Sequence, residues 1–93
     1  MDFYKEILKD YATSSEVRIK ELETTYNNDL DLYTVKVHAL KSVAKTVGDK
    51  SVFEKAYALE MASKDRNAVL VKEKNPELVK EYRKKAGIIN SIL

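Results

Sequence analysis

Cysteine and tryptophan are absent from this chain, and its 93 residues include one histidine, one proline and two glycines. Without cysteine there is no disulfide framework and no thiolate zinc site. A reducing, cytoplasmic setting fits that absence and is the expected location. So little glycine and proline leaves few turns for a β architecture of many short strands. Leu, Ala, Lys and Glu are abundant instead, which favours helix. No stretch approaches the ~20 apolar residues of a membrane span, so no direct membrane contact is expected. The opening Met1-Asp2-Phe3-Tyr4-Lys5-Glu6 is amphipathic and does not read as a secretory leader. Charge of one sign is scarce too: 17 basic residues against 15 acidic ones leave a net charge of +2. A nucleic-acid interface would gather its basic residues into a patch. Here the signs interleave, and Arg83-Lys84-Lys85 reads as a solvated helix end, so no nucleic-acid partner is expected.

A chain of this length is expected to form one domain over residues 1–93. It can bury roughly 60–65% of its unfolded surface, enough for one modest core. A deep nucleotide pocket does not fit beside such a core, and no glycine-rich phosphate loop is present. Autonomous kinase activity is therefore not expected.

Apolar spacing predicts an all-α fold. Tyr4, Leu8, Tyr11, Ser15, Ile19, Leu22 and Tyr26 recur at intervals of three and four, which predicts a helix from about Asp2 to Tyr26. Thr13-Ser14-Ser15-Glu16 interrupts it, and Thr13 with Glu16 could be a capping box that starts a second helix. The unbroken phase of the stripe favours one continuous helix. Asn27-Asn28-Asp29 should end it. The next helix spans about Leu30 to Val47, with Gly48 placed to end it in a left-handed conformation. Ser51-Val52-Phe53-Glu54 reads as a capping box for a helix from about Val52 to Lys64. Its apolar stripe is Val52, Phe53, Ala56, Leu59 and Ser63. In the last segment Asn75-Pro76-Glu77 reads as a helix start, giving either a kink or two helices, about 68–73 and 76–91. Short connections between long amphipathic helices predict an antiparallel up-down four-helix bundle, its last helix kinked or split at Pro76. The tyrosines read as core and boundary residues with wet hydroxyls.

The single histidine, His38, lies in the second of these helices. At ~100° per residue, Tyr33, Val37, Leu40, Ala44 and Val47 fall within roughly 80° and form a core-facing stripe. His38 projects roughly 140° from the centre of that stripe, toward solvent. Asp31, Thr34, Val35, Lys41, Ser42 and Lys45 share its face. A lone surface histidine is usually inert, so its surroundings decide its meaning. Lys41 follows three residues later and reaches the same patch of surface. Its ammonium could neutralise phosphoryl oxygens. Lys45 could add attraction or be plain solvated surface.

The run His38-x-Leu40-Lys41-Ser42-x-Ala44-x-x-Val47-Gly48, followed by a helix with Leu59-Glu60, resembles the histidine phosphotransfer (HPt) domain of bacterial phosphorelays. The resemblance covers most of the chain, through Leu78 and Tyr82-Arg83. It implies a four-helix bundle presenting an exposed histidine. It implies that His38 accepts a phosphoryl group from the aspartyl phosphate of a receiver domain and passes it to an aspartate on another receiver. Lys41 matches the family's basic residue one turn on. Glu60, 22 residues past the histidine, matches a position that hydrogen-bonds the imidazole. The family commonly has glycine where this chain has Ser42; serine still allows close approach and could touch the phosphoryl group. Thr34, Val35, Ser42 and Lys45 are the candidate partner-facing residues. The resemblance is strongest to modules of hybrid sensor histidine kinases, so covalent linkage to such a kinase is one expected setting. A monomer suits a domain that must present His38. Magnesium is expected on the receiver, and no metal or other cofactor on this chain.

Nucleophilic attack needs a neutral ring nitrogen, and an ordinary imidazole of pKa ~6.5 is roughly three-quarters neutral at pH 7. A partner on Nδ1–H would leave the Nε2 lone pair facing outward. Glu60 is the candidate orienter, although a carboxylate there also favours imidazolium. The competing expectation is a helical module that docks receivers or another partner and carries no phosphate.

Overall fold

The computed structural model describes residues 3–93, so the expected helix start at Asp2 lies outside the described residues. Among these residues there are five helices and no strand: α1 (Phe3–Thr13), α2 (Ser15–Thr25), α3 (Leu30–Val47), α4 (Lys50–Lys64) and α5 (Ala68–Ile92). The most extensive packing is α3 on α4, then α4 on α5; α2 closes against both α3 and α5, and α1 lies on α5 and α3. The body measures 42 × 18 × 18 Å.

The α3 stripe is buried as its spacing predicts, and α3 has the predicted bounds. Asp29 caps its start by accepting from the Leu32 N–H at 3.0 Å. Gly48 ends it at φ 80°, the left-handed region where a side chain would strain the backbone.

Four expectations need correction. The first helix is interrupted at Ser14, between α1 and α2. Ser14 donates its hydroxyl to Asp10 Oδ1 at 3.2 Å, so the side chain bonds backward and caps nothing. The stripe nonetheless keeps phase: Tyr11, Ser15, Ile19 and Leu22 are buried on both sides of the break. Helix α4 starts earlier than predicted, because Asp49 rather than Ser51 is its cap, accepting from the Val52 N–H at 3.3 Å. The Tyr11 hydroxyl, 2.8 Å from Asp49 Oδ2, holds that cap in place.

Pro76 does not split α5, which runs unbroken from its Asn67 cap. Proline removes the bond to the Lys72 carbonyl, but Lys72 is exposed and water can take that role. Asn75 is buried and accepts the Tyr33 hydroxyl at 2.8 Å, so it braces the core instead of starting a helix. The three buried tyrosines also lack wet hydroxyls. Tyr82 donates to the Tyr11 carbonyl at 2.6 Å, while Tyr11 and Tyr33 bond to Asp49 and Asn75. Burial pushes all three phenols up.

Candidate functional site

His38 sits midway along α3 with its side chain 56% exposed, opposite the buried stripe. Its Nδ1 lies 2.9 Å from Oε2 of Glu60 on α4. With the carboxylate ionised, Nδ1 is the donor, which in the neutral ring puts the lone pair on Nε2.

Glu60 is the anchor of this site. Its side chain is only 3% exposed, an expensive place for a carboxylate unless charges and hydrogen bonds compensate. Three basic side chains converge on it. Lys41 Nζ is 2.8 Å from Oε1, and Lys64 Nζ is 3.1 Å from Oε2, the atom that also faces His38. Burial pushes the Glu60 carboxyl up, but Lys41, His38 and Lys64 outweigh it and hold its pKa at about 2. The Lys41 contact at 2.8 Å is the shorter of the two lysine contacts, and it does most to hold the carboxyl down.

Lys41 therefore differs from the freely exposed lysine expected on the His38 face. Its side chain is 19% exposed and runs inward over α4, where the ammonium stands 5.6 Å from the centroid of the Tyr57 ring. Of the other predicted face residues, Val35, Ser42 and Lys45 are exposed. Thr34 is half-buried, its hydroxyl oxygen 2.7 Å from the Leu30 carbonyl and 2.8 Å from Ser63 Oγ. Asp31 pairs with Arg66 at 2.8 Å. Gly48 stands at the end of α3 as the helix stop.

Two residues at the site were not anticipated. Lys64 was legible in principle, since it lies four residues past Glu60 on the same helix. Tyr57 carries no such local signal, because its partner Lys41 is on another helix. Exposed apolar side chains, Val35 on α3 and Tyr57 and Met61 on α4, lie on these same two helices.

No group of three or more His, Cys, Asp or Glu is placed to hold a metal among the described residues. Among them, too, no helix is long and apolar enough to cross a membrane. A groove of about 590 Å³ lined in part by Leu8, Val47, Ser51 and Ile89 lies beyond the C-terminal end of α3 and includes none of the groups around His38. No known protein family, curated protein or solved structure matches the chain.

Proposed function

We propose that this protein is a phosphorelay carrier of the histidine phosphotransfer type, with His38 as the phosphorylated residue. The observation that carries it is the contact between the exposed His38 and the buried Glu60. A carboxylate that holds Nδ1–H leaves Nε2 as the nucleophile, on the open side of the helix.

The Nε2 lone pair attacks the phosphorus of a receiver's aspartyl phosphate in line. The bond from phosphorus to the carboxylate oxygen breaks, and its electron pair leaves with the aspartate. The phosphoryl group is then on Nε2 while Nδ1 keeps its proton. Onward transfer reverses this: a second receiver aspartate attacks, and the P–N pair returns to Nε2. Such chemistry needs positioning and charge neutralisation more than covalent assistance. Lys41 and Lys64 supply ammonium groups beside the histidine, and magnesium belongs to the receiver. Val35, Ser42, Lys45, Tyr57 and Met61 offer a mixed apolar and polar surface for the receiver to close on and exclude water.

The fold suits this role. Short connections between α3, α4 and α5, with α2 packed on both α3 and α5, support an antiparallel up-down four-helix arrangement of α2–α5. In that arrangement α1 extends α2 beyond the Ser14 break. A single-domain carrier of this kind works as a monomer in the cytoplasm, free or joined to a hybrid kinase.

The test is incubation with a phosphorylated receiver domain, and separately with phosphoramidate, followed by phosphate analysis. Acid-labile, base-stable phosphate should appear on the wild type and vanish in His38→Gln. ATP with magnesium alone should give no label. Receiver binding that survives His38→Gln, with no phosphohistidine from either donor, would make the protein a docking module instead.

A further inference from the structure

We propose that Tyr57 is a positioning residue for phosphoryl transfer at His38, acting through Lys41; this rests on the phosphocarrier reading above. Lys41 Nζ stands 5.6 Å from the centroid of the Tyr57 ring, inside the ~6 Å reach of a cation–π contact. The same ammonium is 2.8 Å from Glu60 Oε1. The carboxylate and the ring face thus hold it together. The ammonium is thereby kept beside the carboxylate that bonds His38.

The ring is itself held. Phe53, one turn earlier on α4, packs against the core and stands 6.2 Å from Tyr57, centroid to centroid, with the rings tilted by 38°. Tyr57 is 49% exposed, and its hydroxyl has no hydrogen-bond partner among the described residues. Neither deep burial nor a bonded hydroxyl therefore explains an aromatic side chain here. The ring face toward Lys41 does: it confines a flexible four-carbon chain that would otherwise sample many rotamers away from His38.

Small-molecule phosphorylation separates this role from docking, because phosphoramidate needs no protein surface. Transfer forms the bond from phosphorus to Nε2 and breaks the donor P–N bond, releasing ammonia. Tyr57→Leu should slow labelling of His38 about two- to fivefold, as expected for losing an exposed cation–π contact. Tyr57→Phe keeps the ring and should label at the wild-type rate. In a Lys41→Ala background the Tyr57→Leu effect should disappear, because the two residues then act as one unit. Melting curves of the Tyr57 variants should stay close to wild type, since the site is half-exposed. An unchanged rate for Tyr57→Leu, or the same loss with and without Lys41, overturns the proposal. If wild-type His38 takes no phosphoryl group from any donor, the phosphocarrier reading falls and this proposal falls with it.

Discussion

The imidazole of His38 on α3 is held through Nδ1 by the buried carboxylate of Glu60 on α4, at 2.9 Å. Oε2 also faces Lys64, and Oε1 faces Lys41, so one carboxylate sets the position of three cationic or polar side chains. A group transferred at His38 would meet an imidazole of fixed orientation, with two ammonium groups nearby.

Removing the orienter should separate chemistry from fold. Glu60→Ala should lower the rate of His38 phosphorylation by about 10–100-fold, the size of loss seen when the outer partner of a metal-bound histidine is deleted. Its stability loss should fall below the ~3–5 kcal/mol of a fully buried pair, because the half-exposed Lys64 can turn to water. Glu60→Gln, still able to accept from Nδ1–H, should recover most of the rate. Labelling kinetics and thermal melts on both variants check this; equal rates for Glu60→Ala and wild type would remove Glu60 from the site.

Acid should weaken the fold through the same carboxylate. Its folded pKa, held at about 2, lies below the usual carboxylate value of 4.5. The unfolded chain therefore binds the extra proton first as pH falls. The stabilisation, on the order of 3 kcal/mol, is fully present above the unfolded pKa and is lost as pH falls toward about 2. Melting temperature against pH from 6 to 2 should decline less steeply in Glu60→Gln than in wild type. Parallel curves would refute the linkage.

Leu40 and Lys41 are neighbours with opposite duties. Leu40 is buried in the core, and Leu40→Ala should cost about 2–5 kcal/mol while slowing transfer little in the molecules that remain folded. Lys41→Ala should slow transfer more than any loss of stability explains. It should also destabilise more than an ordinary surface lysine variant, because it strips charge from Glu60. Melts alongside labelling rates distinguish them, and matching profiles for the two variants would contradict the facing of α3.

The two glycines should respond in opposite directions. Gly48 has φ 80°, so Gly48→Ala strains the backbone and should cost about 1 kcal/mol. Gly87 lies within α5 with open space around its Cα, so Gly87→Ala should add roughly 0.5–1 kcal/mol. Denaturant midpoints at constant slope would show both changes.

The helical class, the bounds of α3, its buried stripe and its glycine stop were legible because each depends on residues within one or two turns. Asn75 was misread for the same reason: Asn-Pro-Glu is a sound local start signal. It was overridden by the Tyr33 hydroxyl and by core packing along both sides of Pro76. Asp49 took the cap of α4 from Ser51 because Tyr11, far away in sequence, bonds it. Glu60 entered through resemblance and not through periodicity.

The sequence alone determined that His38 stands on the solvent side of an amphipathic helix, since helical phase is a property of the chain itself. Only the tertiary structure decided what meets it there. Glu60, Lys64 and Tyr57 belong to α4, and their reach toward His38 and Lys41 depends on how two helices are rotated and spaced. Core packing sets that relationship. It buries Glu60 at 3% exposure, and basic side chains from both helices then gather to neutralise it.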